Sequence, residues 1–364
     1  MRNGSYDEAL ELEAFCSKLA VSAAGAPAAA ALAEEARAGV RLLLAQLLLR
    51  LRGAVQLPEC LRVVGYLRRL GAFTEPQLRT AFLRCRDAWL QACLAELDAM
   101  QAPYELAKRL TDTHRVHLFD SVMQYRAVFA DDSSAADAAS SSGGLVHAWA
   151  TYRVKAYLDA LAACLPRLTE GAALAGVLEH AAYCGASLGR VGLDFRGLLP
   201  PMFTAAAEQL VRRGLAEALD AFERALALHK LQPAQAGTTA APPPPPADDA
   251  APPAALMEQP PVAVLVNGVL ASLNELRHVA LPALRLPLAG AVHDTLRGAA
   301  GALARLHAAR PAAEGQTPLC APLAASLARV AAPYVAACYG RVYLGAQALV
   351  DADDAMEPLR SFLL

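Results

Sequence analysis

The sequence has few aromatic residues, few lysines and no long uninterrupted run of apolar residues. Aromatic side chains make up 6% of the 364 residues, whereas alanine and leucine dominate, so β-strands are not expected. Only four of the 33 basic residues are lysine, and the formal net charge is −2. Because acidic residues are interleaved with the arginines, the sequence predicts no binding to nucleic acid or acidic lipid.

Signal peptides, membrane spans and disulfide frameworks each leave a pattern that this sequence lacks. The first 15 residues contain no apolar core. The most apolar segments, Gly39–Leu51 and Cys320–Gly340, are interrupted by arginines, so neither reaches the roughly 18 apolar residues that a span needs. The eight cysteines form no Cys-x-x-Cys pair, which predicts buried, reduced thiols in a soluble, cytosolic protein.

The stretch 56–90 predicts two helices joined by a tight corner. Apolar residues recur on one side of the first helix: Leu61, Val64, Leu67 and Leu70. Gly71 suits a helix end, because glycine enters the left-handed conformation without strain. The second helix begins with a Thr-x-x-Gln capping box, Thr74 and Gln77, followed by Pro76 in its first turn. Beyond it apolar positions recur every three or four residues: Leu78, Phe82, Cys85, Trp89 and Cys93.

Similar stripes predict helices along most of the chain. The first, Tyr6–Ala20, is expected to direct five apolar residues inward: Tyr6, Leu10, Leu12, Phe15 and Leu19. Leu32–Arg52 is apolar nearly all round, which predicts burial on several sides. A long helix, Pro103–Phe129, carries one stripe of Leu118, Val122, Tyr125 and Phe129, and beside it a second of Val116, Phe119, Met123 and Ala127.

These patterns predict an all-α protein, an elongated series of antiparallel helical bundles joined by polar linkers. Residues 1–130, 145–232 and 262–364 are the expected helical blocks. Residues 131–144 are rich in Ser, Ala, Asp and Gly and predict a flexible linker. Residues 233–261 contain five consecutive prolines and predict an extended, disordered linker that cannot be helical.

One sequence match would indicate an enzyme. Gly185-Ala-Ser187-Leu-Gly189 fits the G-x-S-x-G pattern of a hydrolase nucleophile elbow. That chemistry needs a strand that feeds a sharp turn, so that the serine oxygen is exposed. The residues before Ser187 have helical composition, and the alternative is a chance match within a helix.

Two groups of residues have the spacing of metal ligands on a helix. One comprises His114, His117 and Asp120; the other comprises Glu179, His180 and Cys184. Zinc needs three or four converging ligands, and neither group offers a clear further ligand nearby. The alternative, locally hydrogen-bonded histidines, is favoured, and the sequence predicts no catalytic, cofactor-binding or metal-binding residues.

The corner also has a local charge of +3. Its basic residues are Arg62, Arg68, Arg69, Arg79, Arg84 and Arg86, opposed by Glu59, Glu75 and Asp87. Two interpretations remain open: a solvated helical face, or a docking surface for an acidic partner helix. A second corner, Gly192–Gly197, predicts a structural joint in which glycine permits a tight turn, Asp194 caps or pairs with Arg196, and Phe195 plugs a neighbouring bundle.

The segment 57–90 reads LPECLRVVGYLRRLGAFTEPQLRTAFLRCRDAWL. It is similar to the most recognisable segment of the family formed by the eighth subunits of the conserved oligomeric Golgi (COG) tethering complex. The resemblance continues in Thr113–Asp132 and Ser187–Phe203, and more faintly in Pro261–Arg277 and Arg2–Phe15. These segments occur in the family's order and span most of the chain.

The resemblance implies a non-enzymatic, rod-like helical subunit of a complex that tethers vesicles in retrograde transport within the Golgi. It also implies other COG subunits as partners, with SNAREs, Rab GTPases and golgins as partners of the complex, and peripheral placement at the cytosolic face of the Golgi membrane. The family carries a longer N-terminal region with coiled-coil helices before the segment matching Arg2–Phe15. The chain is therefore expected to be a shortened form of the family's sequence.

Two alternatives to this interpretation stay open. Another helical-rod scaffold or repeat protein would have the same fold and different partners. A serine hydrolase acting through Ser187 would be an enzyme of a different class.

Overall fold

A computed structural model of the chain describes residues 6–22, 27–129, 138–229, 251–309 and 320–360. Within these ranges the regular elements are helical and no strand occurs, which confirms the predicted all-α class. The helices are α1 Tyr6–Ser22, α2 Pro27–Leu51, α3 Leu57–Arg69, α4 Glu75–Ala95, α5 Pro103–Phe129, α6 Ala138–Cys164, α7 Gly171–Gly189, α8 Leu199–Leu228, α9 Pro260–His278, α10 Arg285–Ala309, α11 Ala321–Ser326, α12 Ala332–Val342 and α13 Ala352–Ala355.

The helices form two compact units. Unit 1 comprises Met1–Ala163 and His180–Gly197, and unit 2 comprises Cys164–Glu179 and Leu198–Leu364. Each unit is therefore built from segments that are not contiguous in sequence, with α7 contributing to both. The block boundaries drawn from composition stay a prediction.

Parts of both expected linkers are helical. Helix α6 begins at Ala138, so the end of the segment 131–144 belongs to a helix, and residues 131–137 lie outside the described residues. Helix α9 begins at Pro260, and the expectation that 233–261 contains no helix is wrong at that end. Pro260 and Pro261 are tolerated because N–H groups in a first turn have no intrahelical acceptor. Residues 233–250 lie outside the described residues.

The predicted corner between α3 and α4 is confirmed. Gly71 has a φ of 61°, the left-handed conformation expected after a helix end. The Thr74 N–H donates to Gln77 Oε1 at 2.9 Å, which is one bond of the capping box. The inward face of α3 is rotated from the prediction: Leu61 is exposed, and the buried residues are Cys60, Val63, Val64 and Leu67.

The core of unit 1 lies between α4 and α5. The predicted α5 stripe is buried, and its aromatic rings pack around Phe82 of α4. The ring centroids of Phe82 lie 6.2 Å from Tyr125 and 5.7 Å from Phe129, both edge to face. The neighbouring stripe of α5 lies at the surface, where Val116 and Met123 are exposed.

Unit 2 is organised around the close packing of α8 on α9. A Cβ built on Gly268 would lie 2.6 Å from the Ala218 Cβ, and one built on Gly214 would lie 2.5 Å from the Ser272 Oγ. The two helices are antiparallel, because 214 pairs with 272 and 218 with 268. Their glycines allow the two backbones to approach more closely than larger residues would permit.

Within the described part of the chain, one helical segment, Ala321–Val342, is long and apolar enough to cross a membrane, by length and composition alone. The segment overlaps Cys320–Gly340, where the sequence predicts no membrane span. Nearly half of its most apolar stretch is buried inside the protein, as in the core helix of a folded domain. Leu327, Val335 and Tyr339 are fully buried, so the segment is only weak evidence for a span.

All eight cysteines lie in described ranges and are unpaired, and six of them are buried. The predicted burial is confirmed for those six thiols, and the reduced state stays a prediction. Burial raises the pKa of Cys60 to about 11, because the apolar surroundings disfavour the thiolate.

We predict that Gly268→Ala destabilises unit 2. The added methyl group meets the Ala218 Cβ, which has no rotamer to escape into, so the helices must separate. The overpacking cost of about 1–3 kcal/mol exceeds the gain of up to ~1 kcal/mol in helix propensity. Thermal unfolding followed by circular dichroism should show a lower midpoint for this variant.

Gly290→Ala is the matched control for Gly268→Ala. Gly290 lies within α10 at an exposed position, and a Cβ there meets no atom within 4 Å. Its midpoint should equal or exceed that of the wild type. Equal midpoints for the two variants would contradict the close α8–α9 contact.

Candidate functional site

Ser187 lies inside a helix. The matching residues Gly185, Ser187 and Gly189 all belong to α7, and no strand precedes them in the described part of this region. A Cβ on Gly185 would lie 2.7 Å from the Arg196 Cγ, so this glycine serves the approach of the segment after α7. The nucleophile-elbow interpretation therefore lacks the strand and sharp turn on which it depends.

The histidines of α5 point to different surroundings. His114 is buried and its Nδ1–H donates to the Leu110 carbonyl at 2.8 Å. Burial lowers the pKa of His114 to about 4, so the ring is neutral at pH 7. His117 is half-buried, and its ring stands edge to face against Trp89 at 5.8 Å. These contacts give both histidines a role in packing.

The second candidate group fastens α7 to α5. His180 Nε2 lies 3.2 Å from Asp112 Oδ1, whereas the Cys184 thiol is buried and donates to the Thr111 carbonyl at 3.9 Å. Burial raises the pKa of Cys184 to about 12. The two side chains bond to different atoms of α5 and do not converge on a shared point.

The arginines of the α3–α4 corner do not form a free basic surface. Arg86 is 2% exposed, and its guanidinium donates to the Leu51 carbonyl at 3.1 Å and the Gly53 carbonyl at 2.8 Å. These carbonyls lie at the C-terminal end of α2, where backbone acceptors have no intrahelical donor. Arg86 therefore caps α2, and both interpretations offered for this residue, solvated face and docking surface, are wrong.

Three other corner arginines bind within unit 1. Arg68 pairs with Glu75 at 2.8 Å, and Arg79 lies 3.7 Å from the same carboxylate. Arg69 pairs with Asp7 of α1 at 2.6 Å. The charges of these three arginines are thus paired with carboxylates of the same chain. Most of the residues on which the docking-surface hypothesis rested are therefore already paired. Arg62 and Arg84 remain exposed.

Asp87, next to Arg86, faces the opposite neighbour. Its carboxylate accepts from the Trp149 Nε1–H of α6 at 2.8 Å and forms a bidentate ion pair with Arg153 of the same helix. Arg153 is buried. Consecutive residues of α4 thus bind α2 on one side and α6 on the other.

The joint after α7 matches its prediction. Gly192 has a φ of 84°, and Asp194 Oδ1 accepts from the Arg196 backbone N–H at 3.0 Å. The same carboxylate binds the Arg196 guanidinium, which lowers the pKa of Asp194 to about 2. Phe195 is buried, with its ring 5.5 Å from that of Tyr157.

A groove between α1 and α2 is lined by exposed apolar side chains. Leu12 and Phe15 of α1 are 63% and 61% exposed, so the prediction that both point inward is wrong. Among the side chains of this helix whose burial the structure describes, the buried hydrophobic residues are Leu10 and Cys16. Helix α2 was expected to be covered on several sides, yet Leu32 and Leu42 are exposed on the same groove.

The groove is acidic as well as apolar. It holds about 1140 Å³, and its charged lining residues are all acidic: Glu8, Glu13 and Glu35. Helix α1 is fixed at its start by Asp7, which accepts from the Tyr66 hydroxyl at 2.9 Å and pairs with Arg69. Those bonds to α3 hold α1 on the rest of unit 1. No pattern of catalytic residues pointed to this groove.

Residues 1–220 of the chain match the Dor1-like family. The match covers more than half of the 364 residues. The chain belongs to the Dor1-like family.

Curated relatives agree with this assignment. The chain is 33% identical over 323 residues to conserved oligomeric Golgi complex subunit 8 of Homo sapiens, covering 86% of this chain and 52% of the relative. Identity to the Drosophila melanogaster protein of that name is 33% over 312 residues, 82% of this chain and 54% of the relative. The chain spans about half the length of these relatives. No solved structure matches the chain.

We predict that Arg86→Met destabilises unit 1 of this Dor1-like chain. Methionine keeps an unbranched apolar side chain but leaves the Leu51 and Gly53 carbonyls without their donor. The expected loss is about 2–4 kcal/mol in free energy of unfolding, measured by urea denaturation. Arg84→Met, at an exposed position of the same helix, should change it by less than about 0.5 kcal/mol. Similar losses in both variants would refute the capping role.

We predict that His114 makes the stability of unit 1 depend on pH. Its pKa is about 4 in the folded protein, below its value of 6.5 when exposed, so protonation favours unfolding. The stabilisation is present above pH 6.5 and is lost as the pH falls towards 4. The increment reaches up to ~3 kcal/mol, and Arg153 and His117 add repulsion to the burial cost.

The measurement for His114 is urea denaturation of the wild type and His114→Gln between pH 7 and 4. The variant should lose less stability over this range than the wild type does. His147→Gln, at an exposed position of α6, is the control and should follow the wild-type curve. A His114→Gln curve parallel to that of the wild type would contradict the prediction.

Proposed function

We propose that this protein is a non-enzymatic subunit of a COG-type vesicle-tethering complex, acting in retrograde transport within the Golgi and in Golgi organisation. The observation that carries the proposal is the similarity to subunit 8 of that complex, which extends over 86% of the chain. Membership of the Dor1-like family over residues 1–220 is consistent with it.

The structure is compatible with a role as a scaffold protein. The polar and titratable side chains that suggested chemistry are engaged in helix packing: Cys184 and His180 against α5, and His114 in the core. These contacts account for individual residues only. That the whole protein is non-enzymatic is therefore part of our proposal. The serine hydrolase alternative has only the sequence match at Ser187 in its favour.

The proposal extends to partners and location. Other subunits of the complex are the direct partners, while SNAREs, Rab GTPases and golgins are reached through the assembled complex. The protein is peripheral to the Golgi membrane on its cytosolic side. Support for these statements comes from the names of the relatives and from the family resemblance of the segment 57–90.

We predict that the tagged full chain, expressed in human cells, co-purifies with other subunits of the COG complex. Mass spectrometry of the purified material measures their recovery against a tag-only control. Ser187→Ala should recover the same subunits in the same amounts, because the hydroxyl has no part in assembly. A fluorophosphonate probe for active-site serines should not label the chain.

Two results would contradict this function. Stable recovery of other proteins without any COG subunit would favour a different helical scaffold. Labelling by the serine probe that disappears in Ser187→Ala would favour an enzyme.

A further inference from the structure

We propose that the groove between α1 and α2 binds a basic amphipathic helix supplied by another protein. The inference goes beyond the tethering role, since it names a surface and the chemistry of its occupant. It stands on the geometry of the two helices and does not depend on the assembly proposed above.

Four exposed large apolar side chains lie together along this groove. Leu12, Phe15 and Leu42 are each more than half exposed, and all three line it together with the partly exposed Leu32. Single exposed leucines are ordinary, but adjacent large apolar side chains form a patch that is typical of an interaction surface. Further along α2, Leu47 and Leu51 are fully buried and hold the helix on α3 and α4 of unit 1.

The shape suits a helix. The lining includes three small residues, Ala9, Ala36 and Gly39, which leave room between the larger side chains. The larger side chains of Leu12 and Phe15 on α1, and of Leu32 and Leu42 on α2, stand along its sides. A third helix would place apolar residues at i, i+3, i+4 and i+7 into such a groove, as in helix-in-groove recognition.

The charge of the groove-lining residues determines which kind of helix the groove can bind. Glu8, Glu13 and Glu35 line the groove, and no basic residue of the described chain lines it. The nearby Arg37 is engaged by Glu34. A helix with Lys or Arg beside its apolar stripe therefore complements the groove, whereas a second copy of this chain would bring glutamates against glutamates. Anionic membrane surfaces are disfavoured for the same reason.

The test uses the full chain and a pair of synthetic peptides. The basic peptide is an amphipathic helix of about 18 residues with leucines at i, i+3, i+4 and i+7 and lysines elsewhere. The acidic peptide has the same leucines and replaces each lysine by glutamate. Fluorescence anisotropy measures the affinity of each labelled peptide at low and at high salt.

The basic peptide should bind at least about tenfold more tightly than the acidic one at low salt, and the difference should shrink at high salt. Leu12→Ser combined with Phe15→Ser should weaken that binding by about tenfold or more. Leu49→Ser is the matched control, because Leu49 is 67% exposed on α2 but does not line the groove. It should leave the affinity unchanged.

Charge reversal provides the decisive arm. Glu8→Lys combined with Glu35→Lys should shift the preference towards the acidic peptide, whereas Glu11→Lys, exposed on α1 and outside the groove, should not. Equal binding of both peptides, or losses in Leu49→Ser that match those of the groove variants, would overturn the proposal. So would a dimer in analytical ultracentrifugation that Leu12→Ser dissociates, since the occupant would then be a second copy.

Discussion

The architecture of unit 1 depends on the burial of one positive charge, that of Arg86. Taking a guanidinium out of water is costly, and the carbonyls of Leu51 and Gly53 offset part of that cost by accepting hydrogen bonds from its Nη1, whereas its Nε has no partner among the described residues. Those carbonyls need a donor as much as the arginine needs acceptors, because they end α2. Asp87, the next residue, is a carboxylate whose hydrogen-bond donors, Trp149 and Arg153, come from α6. Helix α4 can satisfy both only in one position and one rotation, which fixes how α2, α4 and α6 pack.

Features that arise from short-range geometry were predictable. The left-handed Gly71, the bond between Thr74 and Gln77, and the joint at Gly192–Gly197 each involve residues within a few positions of one another. The interactions that stabilise these features involve only residues close in sequence, so composition and spacing are sufficient to predict them. The buried stripe of α5 was also predictable, since one periodic face must be covered in any helical protein.

The fate of Arg86 and of Leu12 was not predictable in the same way, because it depends on which neighbour is present. Arg86 follows Phe82 by four positions and precedes Leu90 by four, so it lies on the buried face of α4. That spacing was the available signal, and the general tendency of arginine to be exposed outweighed it. Leu12 and Phe15 present the converse case. Their apolar character predicts that another helix buries them, but nothing in the local sequence identifies that helix. The candidate groove therefore became visible only once α1 and α2 were placed.

These two cases also separate the residues that serve internal packing from those that remain available to a partner in our proposal. The residues that suggested chemistry or a basic docking surface, such as Ser187, His114 and Arg86, lie within helices or bond to their own chain. Their apparent function is accounted for by packing. The residues around the α1–α2 groove differ, because a helix gains little stability from Leu12 or Phe15 while they stay in water. Residues that pack within their own chain gain no further stability from a partner. Exposed apolar side chains beside acidic residues are stabilised only when an apolar and basic surface covers them.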